Sequence, residues 1–411
     1  MSRLRRIQGF FGLRRSIVGL LGMAVLVGLG ERLAERFLPI YLLVLGGGAI
    51  SVGLLNGLTN LLNALYSLSG GYVSDRLGTK RALLVFNLTA IGGFLIVILV
   101  PAWQAVIVAS LLFLSWSALS LPATMSLVAN VLPQAKRTMG VSMHSLVRRI
   151  PMALGPLIGG LFIDVWGERT GVRLAFGVAI VMAGVAIALQ QALIHDDRPS
   201  DGHLSGRSVI PGNPLTLIRQ MSPALRNLLF SDILIRFCEH IPYAFVVIWC
   251  VKQIASPVSA FQFGVLTTVE MATAAVVYIP VAYLADRSGK KPFVLMTFVF
   301  FTLFPLTLLY CHSFWPLVAA FVLRGLKEFG DATRKALILD LAPEDRKAIT
   351  FGVYYLVRDS IVSLAAFGGA FLWLVSPRAN FLTAFAFGLA GTVWFALRGR
   401  DFSAEPRPAG S

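Results

Sequence analysis

The sequence has few charged residues for its length. Only 14% of its 411 residues are Asp, Glu, Lys or Arg, whereas an ordinary soluble protein has about 25%. Hydrophobic residues make up 56% of the chain and the mean hydropathy is +0.76. Apolar runs of about 20 residues, which are long enough to cross a bilayer, recur along the whole length. This composition excludes a water-soluble protein and indicates that the lipid bilayer is a partner of the chain.

Cysteines and cofactor motifs are scarce as well. The three cysteines, Cys238, Cys250 and Cys311, fall in or beside apolar segments, where we expect them to pack as small apolar side chains. No Cys/His cluster has metal spacing, and the sequence contains no phosphate-binding G-x-x-x-x-G-K-[ST] loop, nucleophile elbow or cofactor fingerprint. We therefore expect no metal, no cofactor, no direct coupling to ATP and no enzyme activity.

Twelve apolar spans divide the chain, and they are numbered here in order. They lie near 17–44, 49–72, 82–101, 104–129, 143–165, 172–194, 227–251, 260–284, 293–311, 315–341, 350–375 and 379–397. Span 1 is too long for the apolar part of a signal peptide, so we expect it to be a retained helix.

The distribution of polar residues predicts how these spans are grouped. Residues 195–226 are rich in Pro, Gly and charge, which is the composition of a linker. We therefore predict an all-α membrane protein with an N-terminal six-helix bundle at 1–194 and a C-terminal six-helix bundle at 227–398. The polar tail, 399–411, is expected to be disordered.

The two halves repeat each other. A tight turn with an acid, an arginine and a glycine at one spacing joins spans 2 and 3, and a second copy joins spans 8 and 9. The matching residues are Gly71, Asp75, Arg76, Gly78, Lys80 and Arg81 in the first copy, and Asp286, Arg287 and Gly289 in the second. Pro39 also matches Pro242, and Arg148 matches Arg358, so the offset stays near 203–212 residues. Such a constant offset indicates a duplicated six-helix unit.

Lys and Arg are unevenly distributed between the two sides of the predicted membrane. With the N-terminus in the cytoplasm, the cytoplasmic segments hold 22 of them and the opposite side holds 4. This bias predicts that both termini are cytoplasmic in a multi-pass protein of the cell (cytoplasmic or inner) membrane. It also explains the net charge of +16 without nucleic acid as a partner.

The duplicated turns resemble the signature loop of the major facilitator superfamily (MFS), which joins the second and third helices of each half. The resemblance implies a transporter fold in which helices 1, 4, 7 and 10 line a central cavity. It also implies that the loop is a cytoplasmic latch, backed by an acid near the end of the fourth helix of each half. Asp340 holds that position in the C-terminal half and Asn130 in the N-terminal half. We therefore expect the C-terminal latch to be the better built of the two.

Span 5 carries a second family motif. Gly155, Pro156, Gly159 and Gly160 resemble the G-P-x-x-G-G motif of the superfamily, which is commoner among antiporters that export. Glycines permit close helix approach and proline bends a helix, so tight packing explains these residues equally well.

Charged residues inside the spans are the candidate functional residues, because a charge at bilayer depth costs several kcal/mol unless it faces protein or water. Asp232, Arg236 and Glu239 are spaced i, i+4, i+7 and form one column on span 7. The candidates for substrate binding or proton coupling are Glu31, Arg32, Glu35, Asp232, Arg236, Glu239, Glu270, Arg324, Glu328 and Asp331. The alternative is that span charges only neutralise each other, which we favour nearer the cytoplasmic ends, at Arg148, Arg149, Arg334, Lys335 and Arg358.

These observations predict a secondary active transporter of a small polar or charged organic solute. We expect alternating access, proton coupling, a monomeric protein, and export in preference to uptake by proton symport. A non-transporting membrane sensor or scaffold is the competing hypothesis from another class.

Overall fold

The computed structural model describes residues 15–113, 149–193, 221–343 and 347–401. Within these ranges every regular element is helical. In chain order the helices are α1 (Arg15–Glu35), α2 (Leu38–Val44), α3 (Gly48–Leu77), α4 (Thr79–Leu99), α5 (Trp103–Phe113), α6 (Arg149–Leu193), α7 (Pro223–Tyr243), α8 (Phe245–Ile248), α9 (Ala260–Ser288), α10 (Lys291–Leu309), α11 (Phe314–Leu326), α12 (Asp331–Leu341), α13 (Lys347–Val375) and α14 (Pro377–Arg398). A π-helical turn, Trp249–Gln253, follows α8.

Six helices of the described ranges are long and apolar enough to cross a membrane, and there are seven if α7 and the segment after it form one bent span. α6 covers predicted spans 5 and 6. Its backbone leaves helical geometry between them, at Gly167, where φ is 79°. A positive φ is accessible to glycine at low cost. Most of predicted span 4 lies outside the described residues.

Three predicted spans are broken, span 10 near its middle and spans 1 and 7 beyond their middles. Span 1 breaks at Arg36 and Phe37, between α1 and α2, and span 7 breaks at Ala244, where the axis bends by 42°. Each break lies beside a proline, Pro39 or Pro242, which lacks the N–H that the helix ladder requires. Span 10 breaks at 327–330, between α11 and α12. The breaks place polar backbone and charged side chains at mid-span depth.

The first half of α6 packs between α1 and α9 because it has almost no side chain on the two contacting faces. A Cβ atom at Gly159 would overlap the Leu33 carbonyl oxygen, and one at Gly155 would overlap Arg32. On the other face, a Cβ atom at Gly160 would overlap the carbonyl oxygen of Ala260 on α9. Residues from the two halves of the chain therefore meet at backbone-to-backbone distance along α6 and α9.

A second contact of this kind joins α3 and α13. Gly53 lies against Ala370, and Gly57 lies against Phe367. Between them, the Asn56 amide donates to the carbonyl of His240 at 2.8 Å and to that of Ala366 at 3.4 Å. The α6–α9 and α3–α13 contacts connect the two halves of the chain. Beside these contacts, α1, α7 and α11 border a common cavity, which we call the shared space.

Two element edges differ from the sequence predictions. α7 begins at Pro223 rather than near 227, because the Ser222 hydroxyl caps it by accepting from the Leu225 N–H at 3.2 Å. Residues 399–401, which are part of the predicted disordered tail, lie within the described ranges. Asp401 accepts from the backbone N–H groups of Lys290 and Lys291, both at 2.9 Å, and so anchors the chain after α14 to the start of α10.

Gly159→Ala should destabilise the protein, because the added methyl group has no room against the Leu33 carbonyl oxygen. We expect a loss of about 1–3 kcal/mol, measured as a lower midpoint of thermal unfolding in detergent. Gly184→Ala is the matched control, since this glycine lies on the same helix and a Cβ atom there would meet nothing within 4 Å. Equal effects of the two changes would contradict the proposed close approach of α1 and α6.

Candidate functional site

Asp232 is the buried centre of a group of polar side chains that we name the Asp232 cluster: Asp232, Asp331, Arg334, Lys335, Tyr354, Arg358 and Asp359. The Asp232 side chain on α7 has no exposed surface. Its carboxylate accepts from Arg334 Nη1 on α12, from Arg358 Nη1 at 3.2 Å and from the Tyr354 hydroxyl at 3.0 Å on α13. One carboxylate thus joins three helices.

The remaining members complete the charge balance of this cluster. Asp331 lies 2.7 Å from Arg334 Nη2 and 2.6 Å from Lys335 Nζ, and Asp359 lies 2.7 Å from Arg358 Nε. The cluster therefore contains as many carboxylates as cations, and nearly all of its charged groups have direct partners. Such an arrangement holds helices in register and leaves little capacity for a ligand.

A second set of charges, the central ladder, crosses from α7 to α9 and to span 10. It consists of Arg236, Glu239, Lys327, Glu270 and Arg324. Arg236 Nη1 lies 2.5 Å from Glu239 Oε2, and Lys327 Nζ lies 3.0 Å from Glu239 Oε1. Glu270 Oε1 then lies 3.3 Å from both Lys327 Nζ and Arg324 Nε. Lys327 shares its charge between two carboxylates because the break in span 10 places it at the end of α11, facing both α7 and α9.

Span 1 contributes its own charges beside the ladder. Arg32 Nη1 lies 2.5 Å from Glu35 Oε2 on the same helix, and Glu31 is buried one position before Arg32. Glu328, which follows Lys327, lies 3.7 Å from Arg149 on α6. This ion pair connects the two halves of the chain.

The shared space is a cavity of about 550 Å³, a figure that includes open space at its mouth. Its charged and polar lining consists of Glu35, Arg36, Asn56, Thr59, Tyr243 and Arg324. Apolar side chains such as Leu38, Val246 and Phe263 form the rest of the wall. The mixture of an apolar wall with a few polar groups is typical of a small-molecule binding site.

The structure places the predicted site residues in three environments. Glu35 and Arg324 line the cavity, whereas Arg236, Glu239 and Glu270 stand behind it in the central ladder. Asp232 and Asp331 belong to the buried Asp232 cluster. Among the described residues, no group of three or more His, Cys, Asp or Glu side chains is arranged to hold a metal ion.

Two cavity residues, Arg36 and Tyr243, are absent from the predicted set. Arg36 lies in the break of span 1, and Tyr243 is the last residue of α7 before the break of span 7. The sequence signal that could have identified them is a proline within an apolar run, which follows Arg36 and precedes Tyr243. A proline there releases the backbone from the helix and redirects the neighbouring side chains.

Only part of each signature loop lies within the residues that the structure describes. Gly78 and Gly289 have φ values of 79° and 90°, and each directly precedes or follows a helix end. Lys80 Nζ donates to the Gln191 carbonyl at 3.1 Å, and Asp340 pairs with Lys290. The side chains of Asp75, Arg76, Asp286 and Arg287, and residue Asn130, lie outside the described residues.

Comparison with known proteins identifies relatives of this arrangement. The family model described as Major Facilitator Superfamily matches residues 20–251 and 228–411. An uncharacterized MFS-type transporter of Methanocaldococcus jannaschii is 23% identical over 356 residues, which are 84% of this chain and 85% of that protein.

Solved transporters share the fold. A POT family transporter in complex with 5-aminolevulinic acid superimposes with a TM-score of 0.75 at 14% identity, over 95% of this chain and 96% of its own. The nucleoside transporter NupG superimposes with a TM-score of 0.77 at 12% identity, over 94% of this chain and 100% of its own.

Asp232→Asn should destabilise the protein strongly, because Arg334 and Arg358 would then face each other around an uncharged group. We expect a loss of about 3–5 kcal/mol, read as a lower thermal midpoint in detergent. Asp359→Asn is the control: it also removes a partner of Arg358, but its carboxylate is 27% exposed, so we expect about 1 kcal/mol or less. The central role of Asp232 is refuted if the two variants unfold at the same temperature.

Proposed function

Because the chain belongs to the Major Facilitator Superfamily, we propose that it is a secondary active transporter that moves a small polar or charged organic solute by alternating access. The observation that carries this proposal is a charged cavity at mid-span depth, formed where spans 1 and 7 are broken and lined by residues from both halves of the chain. Discontinuous helices at the midplane are the usual place for solute and ion binding in secondary transporters.

The topology is part of the proposal. It comprises twelve membrane-spanning helices in two bundles, 1–194 and 227–398, joined by a cytoplasmic linker at 195–226, with both termini in the cytoplasm. The Lys and Arg bias between the two sides supports this orientation. The chain is a multi-pass membrane transporter, and we place it in the cell membrane as a monomer.

The solute class is supported by the cavity and by the structural neighbours. Solved proteins of this fold are described as peptide and nucleoside transporters, and one was solved with 5-aminolevulinic acid. All of these are small polar molecules, whereas a purely lipophilic solute would leave the cavity charges without water or a partner.

Proton coupling rests on the carboxylates that surround the cavity. Glu239 and Glu270 compete for Lys327, and Glu35 holds Arg32. Motion of span 10 against α7 and α9 would change the number of cations near each carboxylate, and thereby its affinity for a proton. Export by antiport is the favoured direction, on the resemblance of Gly155 to Gly160 to a motif of exporters. Because these residues pack against α1 and α9, uptake by proton symport remains the alternative.

A non-transporting membrane sensor or scaffold is the competing function. It would need the polar cavity only as a ligand pocket, without exchange of access between the two sides. Measured flux separates the two hypotheses.

We expect purified protein in proteoliposomes to transport a small polar solute, and an imposed pH gradient to drive that flux. Glu31→Gln should transport without responding to the gradient, because the buried carboxylate of span 1 can no longer exchange a proton. A protonophore provides the control for the gradient. If the flux is unchanged both by the pH gradient and by Glu31→Gln, proton coupling is refuted. If amino acids, organic acids, sugars and cationic drugs all give no flux, the sensor hypothesis is favoured.

Alternating access also requires contacts that open and close. At the end of the molecule that we assign to the outside, the Asp164 carboxylate accepts from the backbone N–H groups of Ala260 and Phe261 at 2.9 and 3.0 Å. It thereby caps the first turn of α9 from the opposite half of the chain. Nearby, Glu168 lies 2.7 Å from Lys252. We interpret these contacts as an outer clamp that is closed in this conformation.

Asp164→Ala should open the outer clamp more often, and we measure this by labelling a cysteine placed at Val246. Val246 is 1% exposed and lines the cavity; the three buried native cysteines are replaced by alanine in this background. A membrane-impermeant maleimide added outside should label Asp164→Ala several-fold faster than the parent. Ser259→Ala is the control, because Ser259 caps the same helix from within its own half. Equal labelling rates for both variants would contradict a clamp between the halves.

A further inference from the structure

One cation of the cavity has no carboxylate of its own. The Arg36 guanidinium lies in the break between α1 and α2 and lines the cavity. Among the described residues, no carboxylate lies within 4.0 Å of it, and its recorded contact is with the ring of Tyr243, 5.0 Å from the ring centroid. The neighbouring Glu35 pairs instead with Arg32 at 2.5 Å.

The sequence limits where a missing carboxylate could come from. Spans 2 and 4, at 49–72 and 104–129, contain no Asp or Glu, and span 5 contains none between 143 and 163. The acids of spans 7, 8, 10 and 11 that the structure describes have ion-pair partners elsewhere, in the ladder, in the Asp232 cluster, or on Arg149 and Lys290. Among the described residues, therefore, no carboxylate of these spans lies within ion-pair distance of Arg36, and Glu270 and Glu239 act on its charge only from farther away.

The charge balance around the cavity gives the same result. Five cations belong to span 1 and the central ladder: Arg32, Arg36, Arg236, Arg324 and Lys327. Four carboxylates accompany them: Glu31, Glu35, Glu239 and Glu270. One positive charge is in excess, and it lies beside open space. A desolvated charge of this kind is stabilised by an anion from outside the chain.

The ring of Tyr243 contacts the guanidinium groups of two arginines. Arg36 lies 5.0 Å from its ring centroid, and Arg324 lies 5.6 Å from the same centroid. Arg324 is 4% exposed and is also held by Glu270 at 3.3 Å and by the Phe304 ring at 4.9 Å. The two guanidinium groups, one from each half of the chain, thus make cation–π contacts with the same ring, and both arginines line the cavity.

The remaining polar wall offers little to a neutral polar solute. The Thr59 hydroxyl donates to the Leu55 carbonyl at 2.8 Å, and the Asn56 amide is occupied by two carbonyl groups. Glu35 also lines the cavity, but its carboxylate is paired with Arg32 at 2.5 Å. Other neighbours, including Val246, Val247 and Phe263, are apolar. The wall therefore suits a molecule with one anionic group and an apolar body.

We propose that the cavity binds its solute through an anionic group, a carboxylate or a phosphate, held between Arg36 and Arg324 beside Tyr243. This inference rests on the proposed transport function and specifies its substrate class as small organic anions with one anionic group. An anion seated there would join the two halves of the chain through one arginine of each, because a planar guanidinium can donate two parallel hydrogen bonds to such a group.

The test compares solutes that differ only in charge. Benzoate, benzamide and benzylammonium share one ring, and hexanoate and hexanamide share one aliphatic chain; phenyl phosphate tests the second anionic group. Binding to the purified full-length protein is followed by calorimetry and by the shift of the thermal midpoint. We expect at least one anion to bind at least about tenfold more tightly than its amide. Equal affinity for acid and amide, or no binding of any anion at millimolar concentration, overturns the proposal.

Variants assign the binding to Arg36. Arg36→Gln should lose the preference for the anion, whereas Arg36→Lys should keep part of it, because lysine retains the charge but not the bidentate geometry. Arg169→Gln, which removes the same charge from an exposed position, should behave as the parent. Full anion preference in Arg36→Gln overturns the proposal; if that variant does not fold, the comparison of acid with amide on the parent protein decides.

Flux measurements separate this inference from the proposed function. Anion binding that depends on Arg36, without flux in proteoliposomes, would refute transport and leave the anion site intact. Flux of neutral or cationic solutes that is unchanged by Arg36→Gln would refute the anion site and leave transport intact.

Discussion

A charge held at the depth of the bilayer interior needs an opposite charge, a polar partner or water beside it, because apolar surroundings cannot replace its hydration. This protein holds more than a dozen such charges in spans 1, 7, 8, 10 and 11, and their pairing determines which helices can be neighbours. Asp232 can be fully buried only because Arg334, Arg358 and Tyr354 reach it from two other helices. The same requirement orders the central ladder, in which Lys327 serves Glu239 and Glu270 together.

The two groups of charges differ in their net charge. The Asp232 cluster has as many carboxylates as cations, which suits a structural joint between α7, α12 and α13; Arg236 of the ladder also lies 3.8 Å from Asp232 and 3.9 Å from Asp331. The central ladder, together with span 1, has one cation in excess and borders open space at Arg36. Binding capacity follows from that imbalance, since a fully paired charge gains little from a ligand. The helix breaks at Pro39 and Pro242 are part of the same design, because they bring Arg36 and Tyr243 to the wall of the cavity.

Close backbone packing allows the cavity to exist in a movable structure. α6 meets α1 and α9 through glycines, and α3 meets α13 in the same way. Contacts of this kind contain few interlocking side chains, so helices can pivot about them with small losses of packing. In the proposed transport cycle, directional contacts, such as those of Asp164 with the N-terminus of α9, decide which end is closed. Smooth pivots together with a few strong polar contacts are what alternating access between two bundles requires.

The sequence alone determined the helical membrane character, the family and the set of helices that carry charge. These properties depend on hydropathy, on the spacing of Asp, Arg and Gly in two turns, and on residue type within a span, all of which can be read locally. The predicted set of ten candidate residues contains two that line the cavity, Glu35 and Arg324, but it treats Asp232 and Glu270 as equivalents.

Only the tertiary structure decided which charges neutralise each other. Asp232 and Glu239 lie two turns apart on one face of α7, and nothing in their spacing separates a closed joint from a ladder beside a cavity. The distinction arises from partners that are roughly 90 to 125 residues away, such as Lys327, Arg334 and Arg358. For the same reason the sequence could not single out Arg36, because the lack of a carboxylate partner for it among the described residues depends on how several helices assemble and not on any one helix.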